Sequence, residues 1–170
     1  MLINQTTIDK KAMIALAKIS RKTLYRGRSR PVRRFAWFAV IVELLIMAVS
    51  FYAGDRGWVM NALLAAIMLA CIFGEDTVNG LISFRQILPD SREVNVTFQE
   101  DHYIQRSRAA ETWWHYRQIA ALGEDKDYFA LVIDKSHGQI YSKAGFEWGS
   151  PDEFREFIQR KTGLKIQKIS

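Results

Sequence analysis

Three histidines, a single cysteine and a short acidic run are the residues of this 170-residue chain best suited to chemistry. Histidine changes charge near neutral pH and is a common metal ligand. His102, His115 and His137 nevertheless fall near different strands or turns, and no pair has the spacing that makes a metal site. Glu124, Asp125 and Asp127 could form a cation loop, but the ligand spacing and the glycine of an EF-hand are missing. A solvated acidic turn is the expectation there. Cys71 has no second cysteine for an internal disulfide or a cysteine-based zinc site. Lying in an apolar run, it is expected to act as a small buried hydrophobe. No HExxH, phosphate-cradling glycine loop, nucleophile elbow or dinucleotide fingerprint occurs. The expectation is therefore a protein without catalytic residues, cofactor or metal. One dense aromatic stretch remains, Glu111 to Tyr116, "ETWWHY". Successive side chains of a strand point to opposite faces, so Trp113 and Trp114 part company there. One should enter a core and the other form an interaction surface.

The elements around these residues divide by charge and hydropathy. Residues 1 to 34 carry ten Lys/Arg against Asp9 alone, whereas residues 85 to 170 hold 13 basic and 13 acidic residues. The net charge of +6 thus comes from the N-terminal block. Ile8, Ala12, Ile14, Ala15, Ile19 and Leu24 recur at near-helical spacing, with Asp9 placed as an N-cap. This reads as a basic amphipathic helix on the inner leaflet, within a segment 1–34. Arg26, Arg28, Arg30, Arg33 and Arg34 are the expected contacts to anionic lipid. A nucleic-acid role is not expected, because stacking aromatics are not interleaved with these charges. No secretory signal fits the first apolar run.

That run, 35–53, is long enough to cross a bilayer as a helix, and a second, 58–73, follows a "GDRG" turn. Together they predict a transmembrane hairpin over 35–76. At 16 residues, or about 24 Å, the second span is short for the hydrocarbon core. Arginines before the first span place both termini in the cytoplasm by the positive-inside rule. Antiparallel folding about the turn sets Ser50 opposite Asn61 and Glu43 opposite Met68. Glu43, Ser50 and Asn61 are accordingly candidate intramembrane polar contacts, with Glu43 pointing to self-association or a functional polar site. Ala62, Ala66, Ala70 and Gly74 form a small-residue face suited to close helix contact.

Residues 77–89 read as a linking helix closed by Pro89, and from Arg92 the apolar period falls to about two. Strands are expected at 92–99, 102–107, 111–116, 127–134 and 138–146. Ser150 and Glu153 then form a capping box around Pro151, opening a helix that buries Phe154, Phe157 and Ile158 and ends near Gly163. The fold class is thus α+β: a basic helix, a membrane hairpin, and an antiparallel barrel or half-barrel over 90–165 with one C-terminal helix.

"VTFQEDHYIQRS", "WWHYRQIAALGEDKDYFALVID", "GQIYSKAGF" and "PDEFREFIQRKTG" carry a resemblance to the YcxB-like family of bacterial membrane proteins. Ile119 and the segment Asp127 to Phe129 match the family pattern, while Ser142 stands where that family usually has proline. The resemblance implies a pleckstrin-homology-like (PH-like) C-terminal domain in a membrane setting and no catalytic residues. The function expected is a membrane-anchored module at the cytoplasmic face that binds another protein or its own kind. Two alternatives are a lipid-headgroup sensor and a small transporter or channel subunit. A sheet of five strands is short of a full PH barrel, which raises the question whether residues 1–8 add one.

Overall fold

The computed structural model describes residues 1–24, 26–134 and 136–169, apart from the side chains of residues 26–30. The chain is α+β and forms two compact units, Arg26–Asp76 and the union of Met1–Tyr25 with Thr77–Ser170.

The first unit is an antiparallel hairpin of α2 (Arg26–Tyr52) and the part of α3 (Gly57–Gln86) up to Asp76. Its turn uses Gly54 at φ 72°, a left-handed position that glycine adopts without a Cβ clash. Two edge-to-face aromatic pairs hold the helices together, Phe51 with Trp58 at 5.8 Å and Trp37 with Phe73 at 5.9 Å. Val40 and Ala65 are buried along the seam. Both helices are long and apolar enough to cross a membrane. The expected linking helix is the continuation of α3, whose 30 residues run unbroken to Gln86. At 1.5 Å per residue that is about 45 Å, so the helix runs well past the 16-residue apolar run 58–73. Leu88, extended before Pro89, ends the run.

Two expectations about the hairpin fail. Ala66 and Ala70 are exposed, so the small-residue face does not line the contact between the two helices, where Ala65 sits instead. Cys71 is likewise exposed on the outer side of α3 and is not a buried packing residue.

The second unit contains two sheets. Sheet A has the order β4-β3-β2-β1-β8, from β1 (Leu2–Thr7), β2 (Glu93–Phe98), β3 (His102–Arg106), β4 (Glu111–His115) and β8 (Phe146–Trp148). Sheet B has the order β7-β6-β5-β9, from β5 (Ala121–Glu124), β6 (Tyr128–Val132), β7 (Gly138–Ser142) and β9 (Gln167–Lys168). The N-terminal residues do add a strand: β1 pairs antiparallel with β2 from Leu2↔Phe98 to Thr7↔Glu93. The domain division at residue 34 therefore gives way to one in which the N-terminal 25 residues fold with the C-terminal part.

Between the sheets lies a core of Val94, Val96, Phe98 and Tyr103 from sheet A and Leu122, Phe129, Leu131 and Tyr141 from sheet B. Helix α4 (Pro151–Thr162) fills it with Phe154, Phe157 and Ile158. The Ser150/Glu153 capping box starts α4, and Gly163 at φ 70° stops it.

The opposite face of sheet B is covered by α1 (Lys10–Thr23), whose first turn is capped by the Asp9 carboxylate accepting from the Ala12 N–H at 2.7 Å. Ala12, Met13, Ala15, Leu16 and Ile19 pack there with Tyr128, Ala130 and Ile140. The apolar face expected to lie on the inner leaflet is thus spent inside the domain. The fit is close. A Cβ at Gly123 would come within 2.3 Å of Ile19 Cγ2, and one at Gly80 of α3 within 2.6 Å of Ile14 Cα. Covered on both sides, β6 is buried along its whole length, which is why its sequence YFALV is continuously apolar instead of alternating.

The described strands form two sheets and no closed barrel. Side chains bridge the gap between β1 and β7. Asn4 Nδ2 donates to the Ser142 carbonyl at 2.8 Å, and the Ser142 N–H donates to Thr6 Oγ1 at 2.8 Å. The Thr6 hydroxyl donates in turn to Asn4 Oδ1 at 2.6 Å. A further bridge runs from β3 to β7, where Tyr103 and Tyr141 both donate their hydroxyls to Gln139 Oε1 at 2.7 and 2.8 Å. Burial drives both phenols above their usual range.

Candidate interaction surface

The alternation of β4 resolves the two tryptophans. Trp114 is half-buried and packs against the core between the sheets, whereas Trp113 keeps 62% of its surface exposed on the outer face of sheet A. The register then places Trp113 in a row. It lies opposite Ile104 of β3, Ile104 opposite Thr97 of β2, and Thr97 opposite Ile3 of β1. Ile3 lies opposite Trp148 of β8, 66% exposed. The register shift between Ile3 and Asn4 keeps Phe146 on the core side beside Asn4 while Trp148 takes the outer side beside Ile3. The outer face is thus crossed, strand by strand, by Trp113, Ile104, Thr97, Ile3 and Trp148, of which Ile104 is buried at 5% exposure, Thr97 and Ile3 are half-buried and the two tryptophans alone are well exposed. Of these only Trp113 stood out in the sequence. The others come from strands up to 145 positions apart, and the aromatic doublet around Glu147 was the one available signal for Trp148.

Charged residues beside this row pair with one another. Arg106 Nε bonds Glu111 at 2.7 Å, holding that carboxyl below its usual range, and Arg108 bonds Glu93 at 2.9 Å. The Trp113 indole N–H donates to Glu111 Oε1 at 3.1 Å. Its ring stacks on His102 with centroids 4.8 Å apart and planes 12° from parallel. His102 and His115, expected on separate elements, are directly opposed across β3 and β4. His102 Nε2 is buried without a hydrogen-bond partner. His137 lies apart, bonded to Asp134 at 3.0 Å. Among the described residues, no three His, Cys, Asp or Glu side chains are placed to hold a metal ion.

The acidic run is not a solvated turn at its first residue. Glu124 is 3% exposed and bonded by Lys143 Nζ at 2.8 Å and Arg155 Nη2 at 2.9 Å. Asp125 Oδ1 accepts from the N–H groups of Asp127 and Tyr128, and Asp127 pairs with Lys11 of α1 at 2.7 Å. Glu124 and Asp127 tie elements of the fold together, while Asp125 closes its own turn.

In the hairpin, Asn61 Nδ2 donates to Ser50 Oγ at 3.4 Å, a long bond. Glu43 does not join them: its Oε1 is buried with no hydrogen-bond partner. Arg33 is half-buried and Arg34 exposed, while the side chains of Arg26, Arg28 and Arg30 lie outside the described residues.

No family model, curated protein or solved structure matches the chain.

Proposed function

We propose that this protein is a membrane-anchored interaction module without catalytic function. The α2–α3 hairpin spans the bilayer twice, Arg26 to Arg34 contact anionic lipid, and both termini lie in the cytoplasm. The sheet unit is a PH-like domain, incompletely closed, of the YcxB-like kind. The observation that carries this reading is the pair of exposed tryptophans, Trp113 and Trp148, on the outer face of sheet A. Large exposed aromatics mark contact sites, because each indole gives much apolar area for little lost side-chain freedom. A face whose charges are paired internally favours a protein partner over an anionic headgroup, which needs unpaired cations.

The test is a photoreactive amino acid in place of Trp113 in the full chain in cells. The expected outcome is a discrete protein adduct, absent when the probe replaces Glu156 on the exposed side of α4. Labelling of lipid alone from position 113 would refute the assignment.

A further inference from the structure

The hairpin carries its own measure of the bilayer it fits. Two aromatic pairs cross between its helices, Phe51 with Trp58 beside the turn and Trp37 with Phe73 at the far end. All four rings are exposed on the hairpin surface. Because each pair joins α2 to α3, it fixes one level on both helices at once. Trp37 and Phe51 are fourteen positions apart and Trp58 and Phe73 fifteen, so either helix sets the two levels about 21–22 Å apart.

Charges bound the same slab. Asp55 and Arg56 lie within three positions of Trp58 at the turn, both exposed. At the far end Arg34 precedes Trp37 by three positions, and Glu75 and Asp76 follow Phe73 directly after Gly74. The uncharged stretch of α3, Gly57 to Gly74, rises about 27 Å. A typical hydrocarbon core is ~30 Å thick, and indoles favour the headgroup layer at its edge. Even an upright hairpin would leave each aromatic level about 4 Å inside such a core, and tilt would deepen the mismatch. Arginine escapes this by extending its apolar stem toward water, whereas the acids that end the stretch on α3 have no comparable reach.

We propose that the lipid-facing surface of the hairpin selects phospholipids of short acyl chain, held around it as an annulus with a core of about 22–27 Å. This preference presupposes that α2 and α3 span the bilayer, as in the function proposed above.

The test is competition between lipids around the full-length protein. It is reconstituted with phosphatidylcholine bearing brominated eighteen-carbon chains, mixed with unbrominated monounsaturated phosphatidylcholine of fourteen, sixteen, eighteen, twenty or twenty-two carbons. Relief of bromine quenching at Trp37 and Trp58 reports how well each unbrominated lipid competes. A chain with Trp37→Phe and Trp58→Phe gives the background from Trp113, Trp114 and Trp148. The expected result is that the fourteen- or sixteen-carbon lipid competes best, about two- to fivefold better than the twenty-two-carbon one. Glu75→Leu with Asp76→Leu, which lengthens the uncharged stretch, should move the optimum to longer chains. A best competitor of eighteen carbons or more, indifference to chain length, or an optimum that the double variant leaves in place overturns the preference but not the membrane-spanning reading. Extraction of the protein from every vesicle by alkaline carbonate, with no quenching at any chain length, overturns both.

Discussion

Glu124→Gln is the most informative single perturbation of the sheet unit. The carboxylate ends β5 almost out of solvent and accepts from Arg155 of α4 and from Lys143, which follows β7. Three otherwise separate segments meet on it. Breaking a buried ion pair by removing one partner costs about 3–5 kcal/mol when the remaining charge is stranded. Here the stranded cations have side chains 27% and 20% exposed, and glutamine still accepts one hydrogen bond, so the cost falls below that range, to about 2–3 kcal/mol. For a domain of about 120 residues, roughly 4 °C per kcal/mol gives a fall in melting temperature of about 8–12 °C. Thermal unfolding of the full chain in nanodiscs, followed by near-UV circular dichroism, measures it. The pH dependence supplies a second check. Burial pushes the carboxyl upward, but the hydrogen bonds from Arg155 and Lys143 outweigh it and leave the group below its usual 4.5. A folded value below the unfolded one means that the stabilisation is complete above about pH 4.5 and is lost as pH falls through the folded value. The gap between wild type and variant should therefore be full at pH 7 and shrink below pH 4.5. A variant melting within about 2 °C of wild type, or a gap unchanged in acid, would refute the account.

Thr6→Val removes the acceptor for the Ser142 N–H, and should cost about 1–3 kcal/mol and speed hydrogen exchange at that amide. Gly80→Ala should destabilise the sheet unit by about 1–3 kcal/mol in the same melt, since its Cβ would meet the backbone of Ile14, whereas Gly74→Ala, with open space at its Cβ, should be neutral or slightly stabilising. Glu43→Met should stabilise the hairpin by about 1–3 kcal/mol, by removing a buried oxygen without a partner, and so raise resistance to SDS unfolding; a loss of stability would show that the carboxyl is used.

What could be read in advance, and what could not, separates along one physical line. The hairpin, the capping box at Ser150 and Glu153, and strands β2, β3, β4, β6 and β7 are encoded within short windows by run length, period or a fixed residue offset. β5 carries no such signal, because it is four residues long, contains Gly123 and is buried on both sides, which erases the alternation that marks a strand. β1 escapes the pattern for a different reason. Its inward positions are Leu2, Asn4 and Thr6, and two polar residues facing a core contradict the usual pattern until their role in bridging to Ser142 is known.

Helix α1 shows the deeper limit. A periodic apolar face states that something covers it, not whether the cover is lipid or protein. What discriminates is side-chain size. Ala12 and Ala15 offer little area for insertion into a bilayer, but they allow a helix to lie against a sheet that has itself cleared space at Gly123 and Gly138. Small residues on both partners, more than 100 positions apart, form a single packing signal only once the chain is folded.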